Sequence, residues 1–230
     1  MVSKVAIIGA NGGVATHLIK RLAKLSNEFE PVAFIRNESQ IAKFQDIGVK
    51  YSLDIDITNS TVEEISKSLI GFDSVVFSAG AGGKGLDLTF SVDLDGAIKV
   101  SEAVKLNKIK RFILVSAIKS QDRSFWWDTK LRSYYIAKKY ADEIISNDKE
   151  IPWTIVQPGH LLNEESTGKI YDPRKVDELA IKAQKDGKLN ISRDDVALTI
   201  VESLKNDKTI HQFIPLIEGD IPIKEALNQL

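Results

Sequence analysis

The chain has 230 residues, with 31 lysines and arginines against 32 aspartates and glutamates, a net charge of −1. That length suits one α/β domain with a buried core, and the balanced charge lacks the footprint of a nucleic-acid binder. There is no cysteine, which excludes disulfides, thiolate metal sites and a cysteine nucleophile, and His17, His160 and His211 are too scattered for a metal cluster. No segment reaches the roughly 18 apolar residues of a membrane span and the first apolar run is too short for a signal sequence, so the expectation is a cytoplasmic protein without a membrane partner.

Lys4-Val5-Ala6-Ile7-Ile8 reads as a buried strand that breaks at Gly9, and Val14, Leu18, Ile19, Leu22 and Leu25 recur at helical spacing just after it. Between them lies Gly9-x-x-Gly12-x-x-Ala15. A strand, a glycine turn and a helix N-terminus make a pyrophosphate site, because main-chain N–H groups and the positive end of the helix dipole are then open to an anion. Pro31 to Ile35 is a second strand, Asn37-x-x-Gln40 opens a helix closed by Gly48, and Lys50 to Leu53 is a short third strand. Ser60-x-x-Glu63 predicts a capping box for a helix through Leu69, followed by a strand from Ser74 to Phe77 that runs into Ser78-Ala79-Gly80. A helix from about Phe90 to Leu106, a strand from Arg111 to Val115, a helix from about Lys130 to Ser146 and a strand from Trp153 to Gln157 come next.

From about His160 to Asn190 this alternation stops, which predicts a small lobe with one helix from Lys175 to Lys185 ending at Gly187. Ser192-x-x-Asp195 then caps a helix through Leu204, Gln212 to Ile217 is a last strand, and Pro222 starts a terminal helix as its first-turn proline. The alternation predicts a single doubly wound parallel sheet of Rossmann-like type over residues 1–230, with ligands at the carboxyl ends of its strands and a small C-terminal substrate lobe.

Arg36 follows the second strand, where a nicotinamide dinucleotide presents its adenine ribose. An acid there selects the 2′-hydroxyl and an arginine the 2′-phosphate, so the expected cofactor is NADP. Asp56-Ile57, after the third strand, would flank the adenine. Tyr134 to Lys139 holds two overlapping Tyr-x-x-x-Lys pairs. A lysine four residues on shares the tyrosine's helix face and can lower its pKa from about 10, giving a general acid/base. The apolar positions Ile136, Ala137, Tyr140, Ala141, Ile144 and Ile145 define one side of this helix. On that wheel Tyr134/Lys138 borders the buried side and Tyr135/Lys139 points to water. Phe125-Trp126-Trp127 could line a substrate mouth or anchor a loop to the core.

The order Gly9-x-x-Gly12-x-x-Ala15, Arg36, Asp56, Asp93-Leu94-Asp95-Gly96, Tyr134-x-x-Ala137-Lys138, Ala141-Asp142, Thr154 to Gly159 and Ile191 to Ala197 resembles the atypical short-chain dehydrogenase/reductase superfamily, in its NAD(P)H-binding, epimerase-like branch. The resemblance implies NADP binding by Gly9, Asn11, Gly12, Gly13, Val14, Arg36, Asp56, Ile57, Ala79, Gly80, Lys138 and Pro158. It also implies catalysis by Tyr134 and Lys138 with Ser116 helping to hold a substrate carbonyl, and places Asp93 near the catalytic lysine. The substrate would be a small carbonyl or sugar-type molecule; no metal is implied. Two departures stand out: the serine after the fifth strand is not at the usual position, and Gln157 replaces an arginine before Pro158-Gly159. They keep a second expectation open, a non-catalytic NADP(H) redox sensor.

Overall fold

A computed structural model describes residues 2–177 and 189–230. Strand β1 (Ser3–Ile8) leads into helix α1 (Gly13–Lys24), and β2 (Phe29–Phe34) into α2 (Ile41–Ile47). Strand β3 (Lys50–Ser52), helix α3 (Val62–Ser68) and strand β4 (Ser74–Phe77) follow. A helical run then begins with the single turn α4 (Leu86–Leu88), widens to a π-helix over Thr89–Leu94 and continues as α5 (Asp95–Leu106). Strand β5 (Arg111–Val115), the short α6 (Arg123–Trp126), α7 (Arg132–Asn147) and β6 (Trp153–Pro158) complete the alternation. Beyond it come the short strands β7 (His160–Leu162), β8 (Lys169–Ile170) and β9 (Asn190–Ser192), then α8 (Arg193–Leu204), β10 (Gln212–Leu216), β11 (Ile221–Pro222) and α9 (Ile223–Asn228).

Seven strands make one sheet in the order β10-β6-β5-β4-β1-β2-β3, and each pairing within it is parallel. Such a sheet buries both faces, which is why its central strands are apolar throughout rather than alternating. In β1, Val5 and Ile7 join the core formed with Leu18, Ile19 and Leu22 of α1 and Val196 and Ile200 of α8. Ala6 and Ile8 point the other way, into the core formed with Ile65 of α3, Val100 and Val104 of α5, and Ile145 of α7. The order in which strands are added reverses between β1 and β4, so their carboxyl ends open the crevice where a dinucleotide lies in this fold.

Among the described residues the lobe contains two small ladders, β7 with β9 in parallel and β8 with β11 antiparallel. Buried Asp195 clasps it to α8: its carboxylate accepts from Ser166 Oγ at 2.5 Å and from the Gly168 amide at 2.8 Å. Most of the predicted helix from Lys175 to Lys185, with Gly187, lies outside the described residues.

Four expectations shift. The capping box belongs to Thr61 and Glu64, one residue on, while Ser60 Oγ accepts from the Asp56 amide. Pro222 is the N-cap of α9 and ends β11 rather than sitting in the helix's first turn. The helix expected from Phe90 begins at Leu86 and carries the π segment, which turns Asp93 inward to 1% exposure. The fourth shift is the phase of α7. Its buried residues are Tyr135, Ala137, Lys138, Ala141, Asp142 and Ile145, whereas Tyr140 and Ile144 are exposed.

Candidate cofactor and active site

The turn after β1 has the predicted form. Gly9 adopts φ +80, and a Cβ there would come within 2.6 Å of the Ala79 main chain, so only glycine lets the β1 turn lie against the loop after β4. The Gly12 amide donates to the Gly9 carbonyl at 3.0 Å. Gly12 is the N-cap of α1, which has no side-chain cap and no acid in its first turn. The amides of that turn are thus left for an anion, and a pyrophosphate fits them.

Gly13 is a glycine for a different reason than phosphate access. Its Cβ position is occupied, 2.6 Å from Cδ and 2.9 Å from Nε of Arg193. Val14 is buried in the core, so only its main chain is available to a ligand. Asn11 is exposed, and its side-chain oxygen accepts from Lys43 Nζ at 2.8 Å; Thr16 Oγ1 accepts from the same ammonium at 2.7 Å. Burial, then the neighbouring Lys20, pulls the Lys43 pKa below its ordinary value. Sequence reasoning missed this cation; its neighbours are 27 and 32 residues away.

Arg36 is exposed just past β2. Asp56 is also exposed, but its carboxylate serves its own turn, accepting from the Thr58 amide, Thr58 Oγ1 and Asn59 Nδ2. These bonds, led by the side chains of Thr58 and Asn59, hold its pKa below the usual range. Ile57 closes on α5, where a Cβ at Gly96 would clash with Ile57 Cγ2.

On the other side of the crevice, the inward-turned Asp93 ties three elements together. Its Oδ2 accepts from the Ala81 amide at 2.9 Å, and its Oδ1 lies 3.2 Å from Lys138 Nζ. Lys138 also donates to the Val115 carbonyl at the end of β5, 3.2 Å away. A Cβ at Gly80 would reach within 3.1 Å of Asp93 Oδ1, so Gly80 gives this carboxylate room. Burial disfavours the charged form of Lys138, but Tyr134, Asp93 and Asp142 outweigh it and the pKa ends above its ordinary value.

Tyr134 is half-buried, with Lys138 Nζ 5.7 Å from its ring centre. Contrary to the expected depression, its pKa is raised: burial dominates, Lys138 pulls it down, and Asp93 and Asp142 push it up. The phenol is therefore protonated at neutral pH. Tyr135 does not point to water. It stacks on Trp126 at 5.9 Å with an interplanar angle of 6°, and burial pushes its pKa up to about 12. Trp126 is fully buried and donates from Nε1 to the Ser120 carbonyl, so that part of the aromatic triplet is an anchor; Trp127 is exposed under the Arg132 guanidinium.

Ser116 is a further correction. It is 4% exposed and its hydroxyl donates to Asp142 Oδ2 at 2.8 Å, so it is committed within the protein rather than offered to a substrate carbonyl. Ser120, Gln121 and Gln157 donate to the same oxygen at 2.6, 2.9 and 3.2 Å. Gln157, the departure noted in the sequence, belongs to this network. Asp142 itself is buried, and burial ahead of the opposing hydroxyl bonds raises its pKa. Pro158 is buried as the last residue of β6, its carbonyl accepting from the Ile118 amide, while His160 is exposed.

Sheet order, glycine turn, open helix N-terminus and buried lysine at the crevice define a dinucleotide-binding α/β protein. Residues 9–207 match the model of the NAD(P)H-binding family, and the chain belongs to that family, consistent with the atypical short-chain dehydrogenase/reductase branch. It is 43% identical over 230 residues to the UPF0659 protein YMR090W of Saccharomyces cerevisiae, covering 99% of this chain and 98% of that one. To YhfK of Bacillus subtilis, called an uncharacterized sugar epimerase, it is 40% identical over 229 residues, covering 99% and 100%. The solved structure of the oxidoreductase ylbE from Lactococcus lactis superposes with a TM-score of 0.80 at 33% identity, covering 99% and 96%.

Proposed function

We propose that this protein is an NADP(H)-dependent oxidoreductase or epimerase-like enzyme for a small carbonyl or sugar-type substrate, with Tyr134 as the proton donor and acceptor. The observation that carries this reading is the half-buried Tyr134 phenol, without a hydrogen-bond partner among the described residues, with the buried Lys138 ammonium 5.7 Å from its ring centre at the carboxyl ends of β4 and β5. NADPH, when bound, would supply the hydride for an electron-poor substrate carbon. Tyr134 delivers the matching proton to the substrate oxygen, or removes it in the reverse direction. Lys138 would orient the cofactor's ribose and favour the phenolate left behind, while Asp93 and the Val115 carbonyl hold the ammonium in place. The naming of YhfK as a sugar epimerase supports the substrate class.

Preference for NADP rests on Arg36, exposed after β2, and on Lys43, whose hydrogen bonds go to the neutral oxygens of Asn11 and Thr16. A hydrogen bond to a charged group is worth ~1.5–3 kcal/mol, so NADPH should bind roughly 10- to 150-fold more tightly than NADH. Fluorescence titration of both cofactors checks this, and Arg36→Ala should remove most of the difference. Equal affinities in the unaltered protein, or a preference that survives Arg36→Ala, would defeat the assignment. Turnover is tested by following nicotinamide absorbance over a panel of aldehydes, quinones and sugar derivatives.

A further inference from the structure

Arg193 is the first residue of α8, on the opposite side of the glycine turn from β4. Its stem crosses the face of Gly13, the first residue of α1, so closely that a Cβ there would lie 2.6 Å from Arg193 Cδ and the arginine would have to move aside. At the far end Nη1 donates to the Leu161 carbonyl at 3.0 Å and to Asn163 Oδ1 at 2.7 Å. Nε and Nη2 have no hydrogen-bond partner among the described residues, and no carboxylate there pairs with this guanidinium. Its neighbours Asp194 and Asp195 are engaged elsewhere, Asp194 by Arg21 and Asp195 by the lobe. An arginine fixed by one nitrogen, with its remaining donors free beside an uncapped helix N-terminus, is a preformed half of an anion site.

We infer that Arg193 is a contact of the cofactor's pyrophosphate, reaching it across Gly13 from the α8 side. This rests on the dinucleotide site proposed above and adds a consequence for the lobe. The guanidinium that meets the phosphate also carries Leu161 and Asn163, so cofactor binding and placement of the segment after β6 share one side chain. Gly13 is then the gap through which the arginine passes.

The test compares two probes. NADPH carries the full pyrophosphate, whereas adenosine 2′,5′-bisphosphate carries the adenosine half with its 2′-phosphate and lacks the nicotinamide-side phosphate. Arg193→Gln should weaken NADPH by roughly 10- to 150-fold and leave adenosine 2′,5′-bisphosphate within a few-fold of the unaltered protein. Arg193→Lys, which keeps the charge but not the fork, should fall between the two. Thermal melts of each variant verify that the fold survives. Gly13→Ala should displace the arginine and give the same pattern, and the double variant Gly13→Ala with Arg193→Gln should be no weaker than either single one. Unchanged NADPH affinity in Arg193→Gln overturns the inference, and so does an equal loss for both probes, which would make Arg193 only a brace for the turn. If the unaltered protein binds neither probe, the dinucleotide site itself is what fails.

Discussion

Replacing Tyr134 by phenylalanine should lower turnover by ~10²- to 10⁴-fold while leaving NADPH affinity nearly unchanged. The split follows from position: the phenol has no bond to the glycine turn or to the residues after β2, so its loss removes a proton and not a cofactor contact. Tyr135→Phe should have little effect on turnover, since that ring is held in the stack with Trp126. The raised pKa of Tyr134 adds a sign. Carbonyl reduction uses the protonated phenol, so its rate should stay level through neutral pH and fall only in alkali beyond the ordinary tyrosine value near 10. Steady-state kinetics on the substrate panel, with NADPH titrations of both variants, provide the measurement. An active protein indifferent to Tyr134→Phe would remove the catalytic reading.

Replacing Asp142 by alanine should cost roughly 3–5 kcal/mol of folding stability. Buried Ser116, Ser120 and Gln157 all donate to its Oδ2 and would lose their acceptor together. A buried donor left unmatched costs about 1–3 kcal/mol. Relief from burying the carboxylate works the other way, but it is one group against three. Asp142→Asn retains an acceptor oxygen without the charge, and its loss should be well below that of alanine. The pH dependence has a definite direction. Asp142 binds its proton more tightly folded than unfolded, so its stabilising contribution is complete below the ordinary aspartate range and disappears as pH rises through the raised folded value. Urea unfolding across that window should show the decline in the unaltered protein and its absence in Asp142→Asn. A loss under 1 kcal/mol in Asp142→Ala would mean that water takes over the donors.

The sheet was legible because both faces of each central strand are buried, which leaves unbroken apolar runs between glycine and capping signals. The α3 cap slipped by one residue because Ser60/Glu63 and Thr61/Glu64 present the same spacing in adjacent registers; only the contacts choose between them. The phase of α7 failed for a clearer reason. Two of its buried positions are Lys138 and Asp142, and a wheel built on apolar residues gives neither of them any weight. Its pull toward Tyr140 and Ile144 followed. The glycine turn and Tyr134 were visible as local patterns, but Arg193 lies 180 residues from Gly13 and Lys43 lies 32 from Asn11, so neither contact leaves a trace in short-range spacing. Ser116 offered the right residue type after β5 but not the usual position, and only the structure shows its hydroxyl turned to Asp142.

The order of strands across the sheet also bears on how the chain is made. The first four strands form the contiguous block β3-β2-β1-β4, and β5, β6 and β10 then add outward from β4 in the sequence in which a ribosome delivers them. Each newcomer meets a neighbour already laid down, so no strand must be inserted between two that have paired. The penalty is a bare edge that persists through synthesis, at roughly 5–20 residues per second, until Gln212–Leu216 covers β6. A nascent chain halted before that point displays the unpaired side of an apolar strand, the kind of surface through which stalled fragments aggregate.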